Sequence, residues 1–511
     1  MLAKLLSYAL NGLEGFKVDI EVDINAGIPG CEVVGLPDTG VKESRERVRS
    51  AIKNSGFSYP LKRLVINLAP ADRKKEGPLY DLPMAIGLLA ASEQVKSEKY
   101  KNYSIIGELS LDGSVRHISG LLPLLISGLQ DNVRKFIVPE ENAAEASYIE
   151  GIEVYTVNSL KQAVDFLSDE ITLMPVVHKD YLSDEIVSDK YGIDFSEVKG
   201  QYAAKRALEI AVSGGHNVLM IGPPGAGKTM LAKCIPKIMP SMTFDEAIEV
   251  TKIHSIAGIL DKNVGIIKRR PFRSPHHTAT TPSLAGGGAS SRPGEISLAH
   301  NGVLFLDEMP EYSRRTLETL RQPLEDGKIT IARANQTIEY PANFMLIASM
   351  NPCPCGNYGS KTQVCQCTSG QIHNYISRLS GPLLDRIDLH IEADNITFEQ
   401  LRSENSAETS IDIRQRVEKA RAIQNERFKD AKIFTNAEMT PLMIKKYCVI
   451  DEASEKLLEA AYKKLSLSAR ATTRILKVAR TIADIEGSQD ISTNHIAEAI
   501  QYRTLDRKYW L

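Results

Sequence analysis

Two spacings of apolar residues run along this chain and repeatedly change places. Runs at Val18–Val22, Cys31–Val34, Leu64–Leu68 and Ser104–Ile106 have the short period of strands, while Val41–Ser55 and Leu82–Ser92 carry apolar residues at helical spacing. Their interleaving predicts an α/β domain over residues 1–170. Residues 171–190 lose this periodicity, are rich in Asp, Ser and Val, and read as a linker. A helical pattern returns at Tyr202–Ser213 and stops at Gly214 and Gly215. Asn217–Ile221, Val303–Leu306 and Asn343–Met350 are mostly apolar throughout, as in strands covered on both faces. The helix after the first of these is expected to end near Pro236, because an internal proline removes a hydrogen bond and clashes with the preceding turn. Ser313 is placed to cap a helix bearing Leu317, Leu320 and Leu324 on one face. Lys328–Tyr340 alternates about Ala334 and Asn335 and reads as a β-hairpin. The stretch 191–395 is therefore a second α/β domain. From 396 to 511 helical spacing dominates, over Ile411–Arg427, Glu452–Lys464, the segment opening at Ser468, and Ser492–Tyr502, which predicts a helical bundle.

Composition narrows the class only a little. The chain has 511 residues, 43% of them hydrophobic, enough for several ordinary cores. A formal net charge of −2 gives no global electrostatic case for nucleic acid, so any such contact must come from local patches. One candidate is the stripe Lys42, Arg45 and Arg49, opposite the apolar face of Val41, Val48 and Ile52; a solvated helix face is the preferred reading. No apolar run reaches the ~18 residues of a membrane span, and the first residues lack the marks of a leader, so a cytoplasmic protein without a membrane partner is expected.

The chemistry is concentrated between the strands of the second domain. Gly222, Pro223, Pro224, Gly225, Ala226, Gly227, Lys228 and Thr229 form a G-x-x-x-x-G-K-T phosphate loop, with a strand before it and a helix after it. Its backbone N–H groups and helix N-terminus suit phosphate oxygens, Lys228 suits the β- and γ-phosphates, and the Thr229 hydroxyl suits Mg²⁺. Val303–Leu306 ends in Asp307, placed for the Mg²⁺ shell, and Glu308, placed to polarise a water for attack on the γ-phosphate. A nucleotide switch would not need the second carboxylate, so hydrolysis of ATP is expected. Asn351, at the tip of the Asn343–Met350 run, can orient the same water. His276 and His277 are read as residues that cap or cross-link a loop in preference to metal ligands.

Four of the seven cysteines are Cys353, Cys355, Cys365 and Cys367. Two C-x-C pairs can close a tetrahedral thiolate site, with Zn²⁺ in a structural role preferred over an iron–sulfur cluster or four unrelated thiols.

Several segments resemble one family along nearly the whole chain. Asn67–Asp72, Glu76–Pro78, Asp81–Pro83, Gly107–Arg116, Arg270–His277, Arg292–Glu308 and Leu383–Arg386 are similar to the YifB/ComM family of magnesium-chelatase-like AAA+ proteins. The resemblance implies an AAA+ core at 191–395, a helical lid at 396–511 and an N-terminal domain similar in fold to the Lon protease proteolytic domain. Leu79 and Leu122 stand where a Lon serine and lysine are expected, so no peptidase activity is expected on casein; turnover sensitive to serine substitution would contradict this. The resemblance also places Val198 and Gly200 against adenine, Asn351 as first sensor, and Arg470 as second sensor. Arg386 is implied to be the finger that reaches a neighbour's nucleotide, with Arg378 as runner-up. It puts a helix-2 insertion before Asp307 and a pore-lining hairpin at 328–340, where Lys328 and Arg333 would track a DNA backbone. It implies a homo-hexameric ring that moves single-stranded or branched DNA, serving recombination or natural transformation together with recombination proteins. Two other readings stay open: a chelatase-type motor that remodels a metal-inserting partner, and a nucleotide-gated scaffold that does not hydrolyse ATP.

Overall fold

The computed structural model describes residues 2–182, 193–288, 292–333, 336–359, 363–394, 408–431, 433–465, 467–505 and 509. The chain divides into two compact units, one of residues 1–186 with 244–268 and one of residues 187–243 with 269–511.

The first unit is built on a seven-stranded mixed sheet. Its strand order is Gly30–Val34, Arg63–Ala69, Glu14–Asn25, Leu2–Asn11, Ser104–Ile105, Lys135–Pro139 and Glu153–Val157. Leu2–Asn11 and Glu14–Asn25 form a long antiparallel hairpin, Leu2 opposite Asp23 and Asn11 opposite Glu14. Alternate residues Val18, Ile20 and Val22 are fully buried, as the period of a half-covered strand requires. Helix Thr39–Asn54, capped by Asp38, buries Val41, Val48 and Ile52 and leaves Lys42, Arg45 and Arg49 exposed. Helix Asp81–Ala91 is buried along its whole length. Leu79 and Leu122 are both core residues.

Two segments join this unit that the sequence spacing did not assign to it. Part of the expected linker packs on the core through Leu173 and Val176, and the Val176 N–H donates to Val154 O at 2.8 Å. The segment 244–268 lies within the stretch 191–395 but groups here. Its helix Phe244–Ala257 is held by a buried polar knot. Ser255 Oγ takes the Gly120 N–H at 3.0 Å and donates to Glu145, which also takes the Leu122 N–H and Asn142 Nδ2, each at 3.1 Å. Burial pushes the Glu145 carboxyl up, against these hydrogen bonds.

The second unit is centred on a five-stranded parallel sheet in the order Phe272–Arg273, Val303–Leu306, Met345–Met350, Val218–Ile221 and Leu389–Glu392. The three central runs are buried at every position, which explains why they read as unbroken apolar segments. The helix after the phosphate loop runs Lys228–Ile238, past Pro236. One missing N–H is tolerated so close to the end, and the Met239 N–H closes the last turn on Ile235 O. The helix expected after Ser313 is two short ones, Arg314–Glu318 and Pro323–Asp326, with Pro323 starting the second. Ser313 does cap the first, accepting from the Thr316 N–H. The hairpin pairs Lys328–Arg333 with Gln336–Pro341; its turn residues 334–335 lie outside the described residues.

Helices Ser410–Arg427, Pro441–Tyr447, Glu452–Leu465, Ala469–Ile485 and Thr493–Gln501 complete this unit. Their core includes a charge cluster. The fully buried Asp484 carboxylate accepts from Arg427 Nη1 at 2.7 Å, Asn436 Nδ2 at 2.8 Å and Arg480 Nε at 3.0 Å. Replacing Asp484 by Ala leaves two buried guanidinium groups without their counter-charge and is expected to destabilise this unit by about 3–5 kcal/mol, read from the urea midpoint of its transition. An unchanged midpoint would show the cluster to be energetically idle.

Candidate nucleotide site and thiolate cluster

The phosphate loop follows directly from the buried Val218–Ile221 strand and turns into its helix at Gly227. That residue has φ 84°, a left-handed conformation that a side chain would oppose. Lys228 is the first helical residue. Its Nζ donates to Gly222 O at 2.6 Å, Pro223 O at 2.9 Å and Asn351 Oδ1 at 3.1 Å. The loop thus curls around its own lysine, and the strand-tip amide joins it. Thr229 Oγ1 donates to Asp307 Oδ2 at 2.8 Å, which brings together the hydroxyl and carboxylate expected to share Mg²⁺.

Ser349 was not singled out from the sequence, yet it organises the carboxylates. Its hydroxyl donates to Asp307 Oδ1 and takes the Glu308 N–H at 3.2 Å. The available signal was one hydroxyl within the otherwise apolar Met345–Met350. Glu308 has φ 51° and ψ 48°. A left-handed non-glycine residue costs about 1–2 kcal/mol, and such strain concentrates where a side chain must be aimed. Its side chain is half exposed and His277 Nδ1 lies 3.8 Å from its Oε2. His276 instead contacts Thr278 Oγ1 at 2.9 Å, the loop cross-link expected of it. No spacing rule would have paired His277 with Glu308, because thirty intervening residues bring them together only through the parallel sheet.

Burial pushes the Lys228 ammonium down to about 8, opposed by the charges of Asp307 and Glu308. A bound triphosphate restores the charged form. ATP binding should therefore take up a proton at pH values above about 8, with affinity flat below and falling up to about tenfold per pH unit above. Calorimetric titration at pH 9 in buffers of different ionisation enthalpy measures this; a buffer-independent heat would contradict it.

The segment expected against adenine buries Val198, while Gly200 precedes Gln201. Gln201 Nε2 donates to Ala226 O at 2.9 Å and to Asp394 O, tying this segment to the phosphate loop. Arg386 does not stand free. It is largely buried, donating from Nη1 to Pro382 O at 2.7 Å and from Nη2 to Glu325. Glu325 is held below the usual carboxylate range first by Arg386, with the nearby charges of Arg470 and Arg321 adding to it. Arg470 is exposed at the start of helix Ala469–Ile485. Arg378 donates to Pro310 O at 3.1 Å and to Glu311 at 2.9 Å, just beyond Glu308. Arg474 pairs with the buried Asp388 at 2.8 Å. Lys328 is exposed at the base of the hairpin and bound to Glu339 at 2.9 Å; the Arg333 side chain lies outside the described residues.

The four cysteines converge. Cys353 Sγ is 3.4 Å from Cys355 Sγ and 3.7 Å from Cys365 Sγ, Cys355 and Cys365 are 3.6 Å apart, and all four sulfurs lie within 4.8 Å of one another. A tetrahedral ion with metal–sulfur bonds of about 2.3 Å needs sulfurs about 3.8 Å apart, so the donor set fits zinc. The N–H groups of Asn357 and Gln366 hold the Cys355 thiol down at about 6, while burial and the neighbouring thiols push Cys365 and Cys367 up against their backbone hydrogen bonds, so Cys355 is the first of these to form a thiolate.

A parallel sheet with a phosphate loop, an acidic strand end and a polar sensor strand defines an AAA+ P-loop nucleotide-binding protein. Its sequence matches the family models described as magnesium chelatase, subunit ChlI, over residues 194–401, subunit ChlI of Mg-chelatase over 20–142, and the magnesium chelatase subunit ChlI C-terminal region over 407–503. It is 45% identical over 515 residues to the competence protein ComM of Haemophilus influenzae, covering 99% of this chain and 98% of that one. It is 44% identical over 508 residues to YifB of Salmonella typhimurium, with the same coverages. A partial similarity, 27% over 168 residues and 30% of each chain, links it to Lon protease 2 of Bacillus subtilis. The chain belongs to the YifB/ComM family of magnesium-chelatase-like AAA+ ATPases. Its fold is that of an AAA+ core with a Lon-like α/β unit and a C-terminal helical region. Among the described residues no helix is long and apolar enough to cross a membrane.

Proposed function

We propose that this protein is a ring-forming, ATP-driven motor that moves branched DNA during recombination. The observation that carries the reading is the hairpin Lys328–Pro341. In sequence it lies between the strand ending at Asp307 and the strand ending at Asn351, so one connected stretch joins it to both sides of the hydrolytic site. Movement of either strand tip on γ-phosphate loss reaches the hairpin without an intervening domain. Its charged strands suit a phosphate backbone, with Lys328 exchanging Glu339 for phosphate. Similarity to a competence protein supports DNA as the track.

In this reading Lys228 and Thr229 hold the β- and γ-phosphates and Mg²⁺, Asp307 completes the metal shell, and Glu308 with Asn351 orients the attacking water. Mg²⁺ supplies charge neutralisation when bound. Arg470 acts as the second sensor on the γ-phosphate, and Arg386 acts on the nucleotide of the adjacent subunit, which favours a closed ring, most simply a hexamer. Zn²⁺ at the four cysteines is structural. The match to chelatase subunit models favours a second reading, a motor that remodels a metal-inserting protein. ATP-dependent strand displacement from a four-way junction, lost in Glu308→Gln, is the result expected of the DNA motor. Hydrolysis without displacement and without stimulation by DNA would favour the second reading.

A further inference from the structure

The thiolate cluster is built against the nucleotide site, and its geometry suggests more than local stapling. Cys353 follows Asn351 by two residues, and the Asn351 carboxamide accepts from Lys228. Helix Ser369–Ile376, with Tyr375 and Ile376 buried, follows the cysteine loop directly. That helix starts two residues after Cys367, with Thr368 and Gln371 forming a reciprocal cap. Gly356, inside the cysteine loop, has φ +81°, and a Cβ there would come 2.4 Å from Pro224 Cδ. The loop backbone therefore rests directly on the phosphate loop. Pro352, Cys353 and Gly356 are buried and Tyr358 packs on Tyr509 with ring centroids 6.3 Å apart, but Val364 is 87% exposed and most of its described neighbours from 363 to 371 are exposed too.

We infer that a zinc-type ion held by Cys353, Cys355, Cys365 and Cys367 sets the nucleotide affinity of this protein, by clamping Gly356 onto Pro224 and holding Asn351, two residues before Cys353, against Lys228. Without the ion, four thiols close a loop that has almost no core of its own. Pro224 then loses its backing and Asn351 its anchor. The ion takes no part in phosphate chemistry; it acts through the position of two residues that do face the nucleotide. This inference rests on the reading that the four thiols hold a metal.

The test uses the full chain, purified without added metal, with zinc content by mass spectrometry, fluorescent ATP-analogue binding and thermal melting measured on each sample. Wild type should carry one zinc per chain. Removal of zinc by a chelator, or Cys365→Ser with Cys367→Ser, should weaken analogue binding about tenfold or more, and restoring zinc to the chelated sample should recover it. Gly356→Ala keeps every thiol; it should retain zinc, fold, and still bind the analogue at least about tenfold more weakly, because its Cβ displaces Pro224. Zinc present, with analogue affinity unchanged in both chelated protein and Gly356→Ala, would overturn the inference while leaving the metal site standing. Wild type without metal would overturn both.

Discussion

Glu308→Gln should bind ATP with close to native affinity and hydrolyse it at least about 100-fold more slowly, the usual worth of a positioned general base. The amide keeps the size and the left-handed backbone of Glu308 but cannot take a proton from water. In the proposed arrangement binding survives, because the phosphates fall to the loop of Gly222–Gly227, to Lys228, and to Mg²⁺ on Thr229 and Asp307. The geometry separates these duties. Asp307 is tied to Thr229 and Ser349, whereas the Glu308 side chain is half exposed and makes no hydrogen bond to either. A glutamine variant with native turnover would move the base to another residue. Loss of binding together with turnover would mean that Glu308 supports the metal.

Arg386→Ala should also bind ATP and lose about 1,000-fold or more of its turnover, as removal of an arginine finger does. This residue starts from an occupied position. Its guanidinium is buried against Glu325 and Pro382, with Nε left without a partner. Arg470 and Arg321 add positive charge around the same carboxylate. Arg321 is itself paired with Glu318 at 2.9 Å, so it is Arg386 that would exchange Glu325 for a neighbour's triphosphate. Because Arg386 also packs, the variant alone mixes structural and chemical effects. Mixing it with Glu308→Gln separates them: each carries an intact copy of the half the other lacks, so mixed assemblies should regain turnover. Turnover in the mixture no greater than the sum of the two alone would assign Arg386 a structural role.

What the sequence made legible follows from how local the signal was. The phosphate loop, its strand and its helix are contiguous, so spacing alone placed them. The runs ending at Asp307 and Asn351 were visible because central parallel strands are covered on both faces. The four cysteines were visible as a pattern, though only the fold shows that Gly356 between them rests on Pro224. Residues acting across the sheet were not legible. Ser349 looks like one polar residue in a strand, His277 meets Glu308 only through strand pairing, and Glu325 meets Arg386 across sixty residues of chain. Leu2–Asn11 is not legible as a strand because its apolar residues fall at adjacent positions and do not alternate, and its pairing partner supplies what the spacing does not. Helix Phe244–Ala257 carries no mark of the unit it belongs to. Its contacts from Ser255 to Glu145 and Gly120, each made over more than a hundred residues, show where it packs.

The most direct measurement is release of orthophosphate from Mg²⁺-ATP by the purified protein, with and without a four-way DNA junction, beside Glu308→Gln under the same conditions. The proposed function predicts release by the native protein, faster on the junction, and almost none from the variant. Absence of release, or equal release by both proteins, would contradict it.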